Sequence, residues 1–344
     1  MTDLWQKLKK EKGPVYLYGM GNGADKILDE CIRLGIEISG VFASDGFVRN
    51  QVFRGFKVES YSAVREKSPD MTALLCFGSA LEEVISSIKQ KSDEIRLYAP
   101  SVPVYGDEIF NSEFFEKNEE KIRLARSLFA DERSKEVFDK IIEYRLSGDI
   151  KYLFEAESDR NENYKLLELK NEIFFDLGAY RGDTVLEVEE HCNLEKIYAL
   201  EPDKKSFEKL KANTAHIKNV NYFNCAVGER DETVFFKKSR GRGSSVGKTG
   251  EEIESRSVDS ILQNEKVTFM KLDVEGNERK ALLGAKSTIK NYLPKLKIAA
   301  YHRSEDIFAL VLLINEITDK YRIYLRHEPS LPDWDTDIFA IPKE

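Results

Sequence analysis

Short apolar runs alternate with amphipathic stretches from Val15 onward. VYLYG (Val15 to Gly19), IEISGVFAS (Ile36 to Ser44), TALLCFGS (Thr72 to Ser79) and EIRLYAP (Glu94 to Pro100) read as buried strands. Between them, GADKILDECIRLG places Ile27, Leu28, Cys31, Ile32 and Leu34 at helical spacing, with Gly35 as a stop. LEEVISSIKQ reads as the next helix. Strand–helix alternation predicts a parallel sheet covered by helices. Residues 1–105 are therefore expected to form a small Rossmann-like domain of about four strands.

The pattern changes over residues 106–165. NSEFFEKNEEKIRLARSLFADERSKEVFDKIIEYRLSG is charged, nearly free of glycine and proline, and helical in period. It predicts a helical connector closing at Gly148, packed on either domain or serving a homodimer.

Alternation returns over residues 166–344. Strands are predicted at NEIFFDLG, EKIYALE, VNYFNCAV, ETVFFKK, VTFMKLDV, KLKIAAYH, YRIYLRHE and TDIFAIP. Helices are predicted at DTVLEVEEHC, DKKSFEKLKANTAHI, VDSILQN, NERKALLGAKSTIKNY and SEDIFALVLLINEITDK. The last strands follow one another without helices, which predicts an antiparallel edge on a mostly parallel sheet. KKSRGRGSSVGKTGEE reads as a mobile loop.

Composition narrows the class. With 41% hydrophobic and 33% charged residues, the chain reads as soluble and globular. It offers no apolar run of bilayer length, and MTDLWQKLKKEKGP lacks the apolar core of a signal peptide, so no membrane partner and a cytoplasmic location are expected. The net charge of -8 argues against nucleic acid as a partner. Lys237, Lys238, Arg240, Arg242 and Lys248 form a local basic patch, read as a solvated loop. Cys31, Cys76, Cys192 and Cys225 make no CxxC pair; Cys31 and Cys76 are expected in the core.

In open α/β sheets, ligands bind beyond the carboxyl ends of the strands. The first strand of the third region ends at Asp176, followed by Gly178, Ala179, Tyr180, Gly182, Asp183 and Thr184 at a helix start. The glycines are expected to let the backbone approach a ligand. The second strand ends in Glu201 and Pro202, where a carboxylate can accept from both ribose hydroxyls. The third ends at Asn224, Cys225 and Ala226, where an adenine would reach. Asp176 would repel a pyrophosphate and favour a ligand bearing an ammonium and a sulfonium, as S-adenosylmethionine does. A hydroxyl acceptor would need a base, for which Asp273, Glu275 and His302 are candidates at strand ends. The bland alternative for His302 is a cap on the helix beginning near Ser304. A metal held by Asp273, Glu275 and His302 ranks below a general base, and no metal is expected. His191, His216 and His327 read as surface residues.

FFDLGAYRGDT, YALEPDKKSFEKLKAN, NCAVGERDETVFF, the GSS of Gly243 to Ser245, SVDSIL and MKLDVEGNERKALLGA, taken in order, resemble the FkbM family of methyltransferases. The family's KxDVEGxE-like string appears as Lys271, Asp273, Val274, Glu275, Gly276 and Glu278. The resemblance implies a class I methyltransferase fold, with a seven-stranded mostly parallel sheet, S-adenosylmethionine as cofactor, and O-methylation of a sugar, glycan precursor or related natural-product hydroxyl.

GMGNGA (Gly19 to Ala24) also follows a strand and opens a helix, with Asp45 ending the next strand. FRGFKVESYSAV resembles the small N-terminal domain of bacterial sugar acyltransferases, which implies a nucleotide-sugar at Gly19–Gly23. A second function class follows: an inactive methyltransferase-fold scaffold that recognises a nucleotide-sugar through its N-terminal domain.

Overall fold

The structure, a computed structural model, describes residues 2–237, 245–247 and 249–343. The chain divides into two compact units. One comprises Met1–Glu119, Glu136–Glu157 and His327–Asp335; the other comprises Glu120–Lys135, Ser158–Arg326 and Thr336–Glu344. The stretch read as a connector folds as helices Ser112–Leu128, Glu132–Ser147, Lys151–Ala156 and Arg160–Leu167, and its residues are shared between the units. One long helical pattern becomes two helices because the Asp131 carboxylate takes the N–H of Ser134 at 2.8 Å and starts a new helix there.

The first unit is built on strands β1 (Val15–Tyr18), β2 (Gly40–Ala43), β3 (Val52–Phe53), β4 (Phe56–Ser60), β5 (Thr72–Leu75) and β6 (Arg96–Tyr98). They lie in the order β3-β4-β2-β1-β5-β6. Every residue of β1, β2 and β5 is buried, as expected for parallel strands covered on both faces. The sheet has six strands rather than about four. The extra pair is the hairpin β3–β4, in which Phe53 faces Phe56 across Arg54 and Gly55, both at positive φ. It is too short to show a period of two in the sequence. Cys31 and Cys76 lie in the core as expected.

The second unit holds β7 (Asn171–Leu177), β8 (Asn193–Leu200), β9 (Val220–Phe223), β10 (Ala226–Val227), β11 (Glu232–Lys237), β12 (Ser245–Gly247), β13 (Glu251–Arg256), β14 (Phe269–Leu272), β15 (Lys295–Ala299), β16 (Tyr321–His327) and β17 (Thr336–Pro342). The main sheet runs β16-β17-β15-β14-β7-β8-β9. β9, β8, β7, β14 and β15 are parallel, and β17 joins β15 antiparallel. This is the expected seven-stranded, mostly parallel sheet.

Two details differ from the sequence pattern. ETVFFKK does not join the main sheet; β11 belongs to a separate sheet, β10-β13-β11-β12. VNYFNCAV splits at Asn224 and Cys225, so that β9 ends in the main sheet and β10 begins in the small one. The stretch read as a mobile loop contributes β12, while Lys238, Arg240, Arg242, Gly243, Ser244 and Lys248 lie outside the described residues. His327, expected at the surface, is fully buried; it closes a strand whose last three residues, Leu325 to His327, are all buried.

Candidate functional site

The site is assembled at the carboxyl ends of β7, β8, β9 and β14. Parallel pairing of β7 and β14 sets Lys271 directly beside Asp176. Asp176 has no exposed surface, and neither carboxylate oxygen has a hydrogen-bond partner. The Lys271 ammonium stands 3.4 Å from Asp176 and 3.6 Å from Asp273, and donates to the carbonyl of Gly178 at 3.0 Å. Burial raises the Asp176 carboxyl to about 6, with Lys271 pulling the other way. Asp176 is thus part of the floor of the site.

Gly178 has φ +85, and a Cβ there would lie 1.9 Å from the carbonyl oxygen of Asp273. The glycine is required by the close approach of two loops of the protein itself, not by clearance for a ligand. Just beyond it, Tyr180 also takes a positive φ of 46 and presents its N–H to Glu201 Oε2 at 2.9 Å. The other Glu201 oxygen accepts from the N–H of Asp203 at 2.7 Å. Burial raises the Glu201 carboxyl to about 7 against these two bonds. Each oxygen keeps a lone pair for a further donor.

Ala179 is buried, and Asp183 is exposed in the first turn of the helix Asp183–His191, with Thr184 half-buried behind it. Asn224 donates to the carbonyls of Glu201 at 2.9 Å and Pro202 at 3.2 Å, tying the ends of β8 and β9 together. Cys225 and Ala226 are buried where the chain passes into the small sheet.

Asp273 and Glu275 follow β14, and His302 follows β15. The structure brings the three together: His302 Nε2 lies 3.5 Å from Asp273 Oδ1 and 3.7 Å from Glu275 Oε2. His302 is not a helix cap, because the helix Asp306–Ile317 follows Glu305, and Asp306 takes the N–H of Arg303 at 2.9 Å. Two acids absent from the sequence-derived set complete the cluster. Glu278, fully buried, stands 2.9 Å from His302 Nδ1, and Asp306 is 2% exposed beside it. Glu278 was visible only as the last letter of the KxDVEGxE string; Asp306 gave no signal beyond a helix start.

Burial alone would lower the His302 pKa, yet Glu278, Asp273 and Glu275 outweigh it and raise it to about 10. Burial lifts Glu275 to about 7, and lifts Asp306 well above the carboxylate range, helped by Glu278. Asp273, Glu278 and His302 each offer one donor atom within 4.8 Å of the others. The two nearest acids meet opposite ring nitrogens, however, so a single ion would reach only one side of the imidazole. The arrangement is one buried imidazole surrounded by four acids.

In the first unit, Gly21 of the glycine turn packs tightly against the end of β5. A Cβ on Gly21 would fall 2.8 Å from both the Cys76 carbonyl and Phe77. Asp45 spends its carboxylate on the N–H and hydroxyl of Ser62, at 2.9 and 2.6 Å.

Residues 176–327 match the family described as the methyltransferase FkbM domain. This part of the chain is similar to the FkbM methyltransferase domain. The site just described falls within it. A crystal structure of the methyltransferase FkbM from Methylobacillus flagellatus KT superposes with a TM-score of 0.73 at 20% identity, covering 97% of this chain and 92% of that one. Two further structures superpose on about half of the chain. An rRNA methylase from Streptococcus thermophilus is 11% identical with a TM-score of 0.36, covering 53% of this chain and 95% of its own. Fibrillarin from Aeropyrum pernix, solved with natively bound S-adenosyl-L-methionine, is 12% identical with a TM-score of 0.34, covering 51% and 68%. No curated protein matches the chain in sequence. Among the described residues, no helix is long and apolar enough to cross a membrane.

Proposed function

We propose that the protein transfers a methyl group from S-adenosylmethionine to a hydroxyl of a sugar, glycan precursor or related natural product. The observation that carries this reading is the charge of the site. Asp176, Asp183, Glu201, Asp273, Glu275, Glu278 and Asp306 gather around Lys271 and His302. Such a site repels a pyrophosphate and attracts a ligand carrying positive charge.

When bound, S-adenosylmethionine supplies an electrophilic methyl group on a sulfonium. Glu201 is suited to its ribose hydroxyls, and the turn from Gly178 to Asp183 to its amino-acid end. Asp273 and Glu275 stand at the end of β14, where an acceptor hydroxyl would meet the methyl group. Holding the two reactants in line supplies much of the acceleration. The acceptor oxygen gains the methyl carbon, the methyl–sulfur bond breaks with its electron pair on sulfur, and the hydroxyl proton leaves to a carboxylate. For the first unit, the packing of Gly21 and the engagement of Asp45 support a scaffold role over a nucleotide-sugar site.

The test is transfer of label from methyl-labelled S-adenosylmethionine to a panel of sugars and glycan precursors, with Asp273→Asn as the control. Label in a product ether, lost in the variant, supports the reading. Label found on nitrogen or carbon would replace the hydroxyl acceptor with another class.

A further inference from the structure

His302 has carboxylates on both ring nitrogens: Glu278 Oε1 at 2.9 Å from Nδ1, and Asp273 and Glu275 at 3.5 and 3.7 Å from Nε2. A carboxylate only accepts hydrogen bonds, whereas a neutral imidazole offers one donor and one acceptor nitrogen. With one acid oxygen 2.9 Å from Nδ1 and two more 3.5 and 3.7 Å from Nε2, the surrounding negative charge favours the doubly protonated ring, and an imidazolium has no lone pair left for another proton. The residue that looks in sequence like a general base is therefore placed as a fixed cation.

Glu278 holds that arrangement from below. It is fully buried at the start of the helix Glu278–Gly284, and its Oε1 also takes the N–H of Val274 at 2.9 Å. One carboxylate oxygen thus lies against the ring and accepts from the loop bearing Asp273 and Glu275. Within that loop Glu275 has φ 52, a left-handed conformation that costs a non-glycine residue energy and marks a side chain held in a set direction.

We propose that Glu278 is a positioning residue: it locks His302 as an imidazolium whose Nε2–H faces Asp273 and Glu275, and it leaves Glu275 to accept the proton of the acceptor hydroxyl. The charged groups around the ring are Asp273 and Glu275 from the loop after β14, Glu278 from its helix, Asp306 from the helix Asp306–Ile317, and Lys271 acting on Glu275 and Asp273. Glu275, lifted by burial to about 7, takes up a proton readily near neutral pH. The chemistry assigned to Glu275 rests on the methyl-transfer reading; the protonation of the cluster does not.

The test is nuclear magnetic resonance on the full chain without cofactor or acceptor, so its outcome is separate from that reading. The chain has four histidines, so nitrogen-15 imidazole spectra are simple, and His302→Gln assigns the signal. Both His302 nitrogens should stay protonated from pH 6 to 8, with the midpoint near 10. Glu278→Gln should lower that midpoint by more than ~1 unit, and Glu278→Asp should restore most of it. Carbon-13 spectra, assigned with Glu275→Gln, should show the Glu275 carboxyl titrating near 7. A neutral His302 at pH 7 in the wild-type protein overturns the proposal. So does an unchanged midpoint in Glu278→Gln, or a Glu275 midpoint in the ordinary range near ~4.3. Should Glu278→Gln fail to fold, the wild-type titrations decide alone.

Discussion

Lys271 faces Asp176 across the β7–β14 pair, its ammonium 3.4 Å from a carboxylate with no surface of its own. Burial penalises both charges, and the pair offsets part of that penalty. The same ammonium reaches Gly178 and Asp273, so one side chain joins the glycine turn to the acidic loop.

Removing one partner of such a pair leaves a buried charge uncompensated. Lys271→Met is expected to destabilise the protein by about 3–5 kcal/mol, and Asp176→Asn added to it to recover a large part. Urea denaturation of the single and double variants measures this. Equal stability of wild type and Lys271→Met would mean that the pair does not hold the site.

Gly178→Ala must move the backbone, since the new methyl group would overlap the Asp273 carbonyl at 1.9 Å. A loss of at least ~2 kcal/mol is expected. Gly35→Ala is the comparison: φ is also positive, at +70, but a Cβ there meets nothing within 4 Å, and only the backbone cost of ~1–2 kcal/mol remains. Melting temperatures of the two variants should rank in that order.

Much of this was legible in the chain. Buried parallel strands announce themselves as unbroken apolar runs, so β1, β5, β7 and β14 were found, and strand ends then placed Asp176, Glu201 and Asp273 together. The hairpin β3–β4 and the small sheet were not legible, because β3, β10 and β12 are too short to show alternation. The depth of a site is also invisible in sequence. Asp176 was legible as a strand-end acid but not as a buried one, Glu278 only as a letter of the KxDVEGxE string, and Asp306 not at all. Their roles come from long-range packing that brings β14, β15 and two helices around one imidazole. His327 misled for the opposite reason: polar neighbours suggested a surface, while the end of its strand, Leu325 to His327, is buried on both faces.

His327 is buried and its pKa is lowered to about 4, mainly because burial disfavours the charged ring. Unfolding lets it protonate near its ordinary value of 6.5. The neutral ring therefore contributes stability that is fully present above pH 6.5 and is lost as pH falls to about 4. The loss amounts to about 3 kcal/mol. His327→Gln should weaken this part of the acid sensitivity, read as a shallower fall of unfolding free energy between those pH values. Parallel curves for variant and wild type would count against it.

Glu201 couples ligand binding to pH in the same direction, at a higher pH. Its carboxyl, raised by burial to about 7, accepts hydrogen bonds better once ionised. Affinity for S-adenosylhomocysteine should rise as pH increases from 6 to 8, measured by calorimetry. Glu201→Gln should weaken binding by ~10–100-fold and flatten that dependence. A flat wild-type profile would remove Glu201 from the ribose contact.

The cofactor is the centre of the account, and a thermal shift tests it without knowledge of the acceptor. A ligand that binds only the native state raises its melting temperature. S-adenosylmethionine and S-adenosylhomocysteine should each raise the melting temperature of the full chain, and NADH should leave it unchanged, because its pyrophosphate meets the acids around Lys271. No shift with either sulfur compound, or a shift with NADH alone, would contradict the reading of this site.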